Sequence, residues 1–335
     1  MELEKNYQSL LSKIQETYTN GQLLSVKASR RQMILTYWAI GQHIVEYEQG
    51  GQDKAEYGSK ILSRLSRDLS DQLGKGFSRT NLIYMRLMYL KYSNVGLLSD
   101  QLTWGHYVEL ASIDHDLERS FYEKQSILEK WTVRELKRQK KSSLFLRLAS
   151  TQDKKGVINL AKEGKSIQKP EDIIRDPYVF EFLKIPEPHQ ISEKELESRL
   201  LNNLQSFLLE LGKGFALVGR QYRITIDNDH YRVDLVFYHR FLRCFVLIDL
   251  KIEKIKHQDI GQMNMYLGYF AKEEYFEGDN PPIGIILTRQ KDELLVEFAT
   301  YGMSSQLFVS KYQLYLPNEN ELRAELEQIL LEEEE

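Results

Sequence analysis

Apolar residues recur along the chain at two different spacings, and the spacing changes near residue 212. In the first half they recur every three or four residues, as in Leu10–Tyr18 and Ile34–Val45, which predicts amphipathic helices. After a helix predicted over Ser192–Leu211, shorter runs rich in β-branched and aromatic residues predict strands. We therefore expect an α+β protein, with an all-α front domain followed by a mixed sheet flanked by helices.

Polar and glycine-containing stretches divide this pattern into segments. We predict a helical domain over residues 1–150, a linker and docking segment over 151–190, a sheet domain over 191–330 and an acidic tail over 331–335. The polar residues 149–170 show little periodicity and are expected to form a loop. In the sheet domain the expected order is helix, three antiparallel strands, helix and strand.

Composition limits the class of protein. The chain has 335 residues, a net charge of −4 and one cysteine, Cys244, so a disulfide framework and a cysteine-rich zinc site are excluded. The N-terminus is polar and no apolar run has the length of a membrane span, so a cytoplasmic protein without membrane association is expected. Residues 1–150 carry a net charge of +5 and the remainder −9, which predicts that nucleic-acid affinity is strongest in the front half.

Two basic elements of the front half are candidates for contact with DNA. A helix predicted over residues 59–73, a turn with Gly74 and Gly76, and a second helix capped by Ser78 have the layout of a helix-turn-helix. Another basic helix is predicted from Trp131 onward. The alternative for each element is an ordinary helix with a solvated face. The candidate DNA contacts are Arg79, Asn81, Arg86, Arg134, Lys137, Arg138 and Lys141.

The strongest candidate for chemistry is a β-hairpin predicted over residues 231–251. Its first strand carries Asp234 in an otherwise apolar and aromatic run. Its second strand is apolar until its end, where Asp249 and Lys251 are two residues apart. Side chains two apart on a strand point to the same face, so this acid and this lysine are expected to lie together.

The register of the hairpin decides whether the acid of the first strand joins this pair. A two-residue turn at Arg240–Phe241 would place Asp234 opposite Leu247, on the face that carries Asp249. A slip of one residue would turn Asp234 to the other face. Neither turn residue is favoured in a two-residue hairpin turn, so the turn does not decide the register.

Two adjacent carboxylates and a lysine favour metal-assisted chemistry. Adjacent carboxylates repel, so near neutral pH they share a proton or bind a cation. Oxygen ligands without histidine or cysteine select Mg²⁺, with Mn²⁺ also possible, and a nearby lysine stabilises negative charge on a phosphate. A solvated strand end with a surface ion pair is the alternative for the Asp-x-Lys pattern alone. No small-molecule cofactor is expected, because the phosphate-binding glycine loop is lacking.

Several runs of residues together resemble the YhcG-type PDDEXK nuclease family, in which a helical domain precedes a PD-(D/E)xK nuclease domain. The resemblance spans nearly the whole chain. It implies a metal-dependent DNA endonuclease that hydrolyses phosphodiester bonds in DNA metabolism, restriction or defence against mobile DNA. The runs that carry it are Phe207–Phe215, Val218–Tyr222, Asp234–His239, Gly261–Asn264, Tyr37–Gly41, Gly76–Leu82 and Trp104–His106.

The resemblance also implies roles for individual residues of the hairpin. Asp234 and Asp249 correspond to the metal-binding acids, and Lys251 corresponds to the lysine that positions the attacking water. The chain departs from the family pattern at two positions. Val233 replaces a proline that is not a ligand, and Asp249 stands where the family usually has glutamate, which puts the metal geometry in question.

Residues outside the hairpin complete the implied site. Glu197, on the helix before the sheet, matches an additional acid of such nucleases, with Glu195 as the alternative. Gln262 and Tyr266 match a Gln-x-x-x-Tyr motif that supports the lysine or contacts DNA. Both are therefore included among the catalytic candidates. The candidates for binding substrate phosphates beside the site are Lys254 and Lys256.

Two expectations concern the protein as a whole. DNA is the expected partner, and cutting two strands with one site per chain favours a homo-oligomer, with a dimer preferred. An alternative of another class is a non-catalytic DNA-binding or assembly protein with a vestigial nuclease fold. The aspartate at position 249 and the acidic second half favour that alternative.

Overall fold

The computed structural model describes residues 28–48, 57–150, 152–185 and 191–331. Contacts divide the chain into two compact units, Met1–Leu136 and Lys137–Glu335. This division falls earlier in the chain than the boundary predicted at residue 150. The helical pattern predicted before residue 28 and residues 332–335 of the predicted tail lie outside the described residues.

The described part of the first unit consists mainly of helices. Apolar side chains at helical spacing form a buried cluster that includes Ile44, Leu62, Leu82 and Met85. The helices comprise residues 28–48 (α1), Tyr57–Leu73 (α2), Arg79–Lys91 (α3), Trp104–Ala111 (α4), Asp116–Glu129 (α5) and the start of Val133–Lys141 (α6).

The helical hairpin predicted in this unit is present as α2 and α3. Gly74 and Gly76, with φ of +84° and +118°, form the connection, a conformation that glycine adopts without steric cost. Ser78 caps α3, because its side chain accepts the backbone N–H of Asn81 at 3.2 Å. DNA binding by this hairpin stays a prediction.

Within the described residues, the second unit forms a six-stranded sheet in the order β1-β6-β5-β4-β3-β2. The strands are Tyr178–Val179 (β1), Phe215–Ile226 (β2), Asp229–His239 (β3), Cys244–Lys254 (β4), Ile283–Gln290 (β5) and Gln306–Gln313 (β6). Strands β2, β3 and β4 pair antiparallel, whereas β5 pairs parallel with β4 and β6, and β1 pairs parallel with β6. The sheet is therefore mixed, as predicted.

Helices flank this sheet and bury both of its faces. Leu235 and Ile248 pack in one apolar cluster with residues of the two helices that precede β2, and Val236 and Leu247 pack in another with residues of the helix that follows β4. The helices of this unit are Leu144–Ala149 (α7), Lys154–Glu163 (α8), Glu193–Asn202 (α9), Leu204–Leu211 (α10), His257–Glu273 (α11), Glu293–Thr300 (α12) and Glu319–Leu331 (α13). The predicted α+β fold class is confirmed.

Helix α8 and strand β1 lie in the segment predicted as a linker. The expected loop over residues 149–170 is wrong, because Asp153 caps α8 by accepting the N–H of Gly156 at 2.7 Å. Val157 and Ala161 are buried along the helix. The lysines around these positions hid an apolar spacing of four residues that is typical of a helix.

The predicted hairpin register is wrong by two residues. The connection between β3 and β4 is Arg240–Arg243, four residues rather than two, and Val236 rather than Asp234 pairs with Leu247. The same register places Asp234 across from Asp249 at the next position. Because the shift is even, Asp234 keeps the side of the sheet that the sequence predicted.

Within the described residues, every helix is either too short or too polar to span a lipid bilayer.

Candidate active site

The candidate site lies where strands β3 and β4 separate. The two strands pair from His239 to Leu235 on β3, and the next position holds Asp234. Beyond it, β3 continues beside β2, whereas β4 continues beside β5. The carboxylate of Asp234 occupies this fork, because its Oδ2 accepts the backbone N–H of Leu250 on β4 at 2.8 Å.

Asp249 is a buried acid whose charge is only partly balanced. Asp249 is only 5% exposed. Burial, and then the neighbouring charge of Asp234, raise the pKa of Asp249 to about 7, although Lys251 opposes this shift. A carboxyl pair of this kind holds a proton or a cation near neutral pH.

Lys251 supplies a fixed positive charge to the site. Its Nζ lies 2.8 Å from Oδ2 of Asp249 and 3.8 Å from Oδ1 of Asp259. Burial alone would lower the pKa of Lys251, but the carboxylates of Asp249, Glu193 and Asp259 raise it above its ordinary value. Lys251 therefore stays protonated at neutral pH and acts through its charge rather than as a general base.

Glu197 is linked to the fork by a glutamine. The side-chain Nε2 of Gln221 donates to Oε2 of Glu197 at 2.7 Å and to Oδ1 of Asp234 at 2.9 Å. Gln221 has a φ of +45°, a region that residues other than glycine rarely adopt. Burial raises the pKa of Glu197, against the hydrogen bond from Gln221, which lowers it.

The two candidate acids of α9 have different surroundings. Glu197 is buried and reaches the site through its glutamine partner. The carboxylate of Glu195 lies 2.8 Å from the guanidinium of Arg199 and is about half exposed, at 43%. Its backbone N–H is capped by Ser192 at 3.1 Å. Position 197 thus lies beside the fork and position 195 stabilises the helix, and a catalytic role for Glu197 stays a prediction.

The Gln-x-x-x-Tyr motif contacts strand β3 rather than Lys251. Gln262 Nε2 donates to the hydroxyl of Tyr266, and that hydroxyl donates to the backbone carbonyl of Arg232 at 3.1 Å. Tyr266 is fully buried, so its side chain is not available to DNA. The motif fixes β3 two residues before Asp234, and a catalytic role for its residues stays a prediction.

The structure corrects the prediction for Arg138 among the candidate DNA contacts. Its guanidinium lies 2.6 Å from Glu210 and 3.2 Å from Glu181, inside the second unit. Arg86 is also occupied, because its Nε lies 2.6 Å from Glu48. A basic run in the sequence does not distinguish such internal ion pairs from solvated charges.

The remaining candidate contacts differ in their surroundings. Asn81 donates its side-chain amide to the carbonyl of Gly76 at 2.9 Å, so it closes the turn. Lys254 lies 2.7 Å from Asp292 and Lys256 lies 3.6 Å from Glu253. The candidates with exposed side chains are Arg79, Arg134, Lys137, Lys141, Lys254 and Lys256.

The chemistry of the fork fits a divalent cation. Asp234 and Asp249 offer adjoining carboxylate oxygens, and a cation would offset both the burial and the repulsion from Asp234 that raise the pKa of Asp249. Over the described ranges, no group of three histidine, cysteine, aspartate or glutamate side chains is arranged to hold an ion. The two aspartates would therefore share the ion with water, as Mg²⁺ usually does.

The sequence did not point to Gln221, Glu193 or Asp259. Gln221 lies within the run Val218–Tyr222 that carries the family resemblance, but its positive φ is not visible in the sequence. Glu193 accepts the backbone N–H of Ile252 on β4 at 3.4 Å. Position 259 faces the lysine because α11 begins directly after β4. The sequence feature that could have pointed to Asp259 is its place in the first turn of α11.

Comparisons with known proteins identify the family of the chain. The model of the YhcG PDDEXK nuclease domain matches residues 171–327, and that of the DUF1016 N-terminal domain matches residues 13–147. The chain is 36% identical to "Putative nuclease YhcG" of Escherichia coli (strain K12), over 98% of this chain and 96% of that protein. The chain belongs to the YhcG family of PDDEXK nucleases. The resemblance found in the sequence is thereby confirmed, and the YhcG nuclease model covers α9, the fork and α11.

Two solved structures share limited similarity with this YhcG-family chain. One is the crystal structure of a repair endonuclease from Pyrococcus abyssi, with a TM-score of 0.28 and 19% identity over 39% of this chain and 50% of that chain. The other is the structure of EndoMS in apo form, with a TM-score of 0.24 and 15% identity over 39% and 49%.

Proposed function

We propose that the protein is a Mg²⁺-dependent DNA endonuclease that hydrolyses phosphodiester bonds. The observation that carries the proposal is the pair of carboxylates formed by the half-buried Asp234 and the buried Asp249, beside the protonated Lys251. Burying an acid beside a second carboxylate raises its free energy unless a cation joins them. Membership of a nuclease family supports the same chemistry.

The residues of the fork have different roles in hydrolysis. Asp234 and Asp249 would hold the ion, which when bound makes a water molecule more acidic and offsets negative charge on the phosphate. The N–H of Leu250 fixes the orientation of Asp234. In the reaction an oxygen–phosphorus bond forms from water, and the bond from phosphorus to the departing sugar oxygen breaks.

Lys251 and Gln221 assist from two sides of the carboxylate pair. The Nζ of Lys251, 2.8 Å from Asp249, places a permanent positive charge where negative charge develops on the phosphate. The amide of Gln221 holds the carboxylates of Glu197 and Asp234 by two hydrogen bonds. We assign Gln221 and Glu197 as positioning residues, because they set where the carboxylate of Asp234 points.

The proposal extends to DNA binding, assembly and cellular role. DNA would be held by the exposed basic residues of the helical region and by those that follow β4. We also propose a homodimer in the cytoplasm, because two sites are needed to cut two strands, and a role in DNA metabolism, restriction or defence against mobile DNA. The residues assigned to DNA contact are Arg79, Arg134, Lys137, Lys141, Lys254 and Lys256.

Nicking of a supercoiled plasmid tests the enzymatic assignment. The wild type is expected to nick in Mg²⁺ and not in a chelator, and Asp234→Asn and Lys251→Met are each expected to lower the rate at least about a hundredfold. Asp229→Asn is the matched control, because Asp229 is exposed on the same strand. Equal rates in wild type and all three variants would reject the mechanism and favour a vestigial nuclease fold.

A further inference from the structure

Beyond the fork, strands β2 and β3 continue together as a two-stranded ribbon. They stay paired out to Ile226 and Asp229, whereas β4 pairs with β3 only between Leu235 and His239. One face of this ribbon is covered, since Ile224 packs with residues of α11 in an apolar cluster. The opposite face of the ribbon is open to solvent.

The open face is lined by basic and polar side chains. Arg223 and Arg232 are directly opposite each other, and the next pair outward is Thr225 and His230. All four residues are exposed. Like charges directly across a pair of strands destabilise it, so the fold carries two opposed guanidinium groups at a cost in stability. An anion bound between them would offset that repulsion.

Hydrogen bonds orient one of these arginines. Nη2 of Arg223 lies 2.7 Å from Nε2 of His230, and a guanidinium only donates, so Nε2 of the imidazole accepts. The proton of the neutral imidazole is then on Nδ1, which lies 3.1 Å from Oγ1 of Thr225 and donates to it. Arg223 is thereby held by a neutral imidazole rather than by a carboxylate.

The ribbon is also fixed relative to the candidate catalytic acids. Arg232 precedes Asp234 by two residues on β3, and its backbone carbonyl accepts the hydroxyl of Tyr266 at 3.1 Å. A strand rises about 3.4 Å per residue, so the backbone of Arg232 lies about 7 Å along β3 from that of Asp234.

We propose that this open face, formed by Arg223, Thr225, His230 and Arg232, binds the phosphate backbone of DNA beside the position of cleavage. The proposal rests on the proposed nuclease function. Guanidinium groups match phosphate oxygens in charge and in their paired N–H geometry. Contacts of this kind position a duplex without reading its sequence, so the surface sets where the strand crosses the fork.

Binding measurements over a range of salt concentration test this surface. Fluorescence anisotropy with a labelled duplex oligonucleotide is carried out in a chelator, so that cleavage does not interfere, from about 50 to about 200 mM salt. Each phosphate contact contributes about 0.9 to the slope of log affinity against log salt. The double variant Arg223→Gln/Arg232→Gln is therefore expected to flatten the slope by about 1.8.

A matched control lies in the connection that follows the same strand. Arg240 is exposed directly after β3 ends at His239, and Arg240→Gln removes the same charge from the same hairpin. This variant is expected to keep the wild-type slope. Thermal denaturation checks the fold, because removing opposed like charges should leave the melting temperature of the double variant unchanged or higher. If the double variant does not fold, the single variants replace it, and each is expected to give half of the flattening.

The outcomes separate this surface from the nuclease function. A slope in the double variant equal to that of the wild type overturns the proposal, and so does an equal flattening in Arg240→Gln. If the wild type binds DNA but does not nick plasmid in Mg²⁺, the nuclease function fails, and the slopes still decide whether the ribbon binds phosphate. In an active wild type, the double variant is expected to raise KM for plasmid with little change in kcat.

Discussion

Glu210 and Asp249 are both buried carboxyl groups of the second unit, yet their surroundings shift their pKa values in opposite directions. Burial alone would raise the pKa of Glu210, but neighbouring arginines hold it at about 2. The pKa of Asp249 is raised to about 7 by burial and by Asp234. The arginines around Glu210 are Arg147 at 2.8 Å, Arg138 at 2.6 Å and Arg175 at 3.7 Å.

The difference distinguishes an acid that stabilises the fold from one that is available for chemistry. Glu210 also accepts the backbone N–H of Val179 at 2.9 Å. Arg147 and Arg138 donate to backbone carbonyls near β1, so this cluster ties α6, α7 and β1 to α10. The negative charge of Glu210 is therefore fully balanced by these arginines. Asp249 and Asp234 share one lysine, and we propose that a bound cation balances the remaining negative charge.

The largest expected effect concerns Glu210. Glu210→Gln removes the balancing charge from the buried Arg147 and Arg175 and the partly buried Arg138. It is expected to lower the free energy of unfolding by about 3–5 kcal/mol, measured by urea denaturation. Nuclease activity per folded molecule should not change. Glu319→Gln is the control, because Glu319 pairs with Arg323 at 2.7 Å on an exposed helix and should cost less than about 0.5 kcal/mol. Equal losses in the two variants would contradict a structural role for the buried cluster.

The next effect is a difference in the sign of the pH dependence. The lowered pKa of Glu210 means that its stabilising contribution is present above about pH 4.5 and is lost as the pH falls towards about 2. The difference in unfolding free energy between wild type and Glu210→Gln should therefore shrink on acidification, by about 3 kcal/mol in total at 1.36 kcal/mol per pKa unit.

For Asp249 the sign is reversed. Its folded-state pKa is raised from 3.8 to about 7, so the ionised form destabilises the fold, increasingly as the pH rises through this range and fully above pH 7. Asp249→Asn is expected to raise the melting temperature at pH 8 and to leave it nearly unchanged at pH 4, in the absence of divalent ions. A stabilisation that is largest at acidic pH would contradict the unbalanced charge that we assign to the site.

The smallest expected effect concerns Gln221. Gln221→Leu removes the amide that joins Glu197 to Asp234 and should lower the nicking rate about tenfold, or about 1.4 kcal/mol. Gln221→Gly is the informative partner variant, because glycine adopts the φ of +45° without strain. It should be as inactive as the leucine variant but more stable. Full activity in the glycine variant would show that the backbone conformation matters and the amide does not.

The sequence predicted those parts of the site that depend on local pattern. Strand β4 and helix α11 could be predicted because a long apolar run and a clear helical spacing are local patterns that do not depend on distant contacts. Asp249 and Lys251 share a face for the same reason, since alternation along one strand is a local property. Asp234 lies on the predicted side of the sheet only because the register differs from the predicted one by an even number of residues.

Features that depend on distant contacts could not be predicted from the sequence. Arg138 lies in a basic run that is typical of a DNA-binding helix, but its partner Glu210 is 72 residues away along the chain. The role of Gln221 depends on a positive φ within a strand, which no residue pattern indicates. Helix α8 was missed for a simpler reason, because lysines surround its two buried positions.

The hydrogen bond from the N–H of Leu250 to Asp234 bears on how substrate complexes can be captured. Asp234→Ala would leave that backbone amide without its acceptor at the point where the strands separate, so loss of cleavage would be mixed with local distortion. Asp234→Asn keeps a carbonyl oxygen at the same place and removes the charge. It is therefore the variant to use for trapping uncleaved DNA in an intact binding surface.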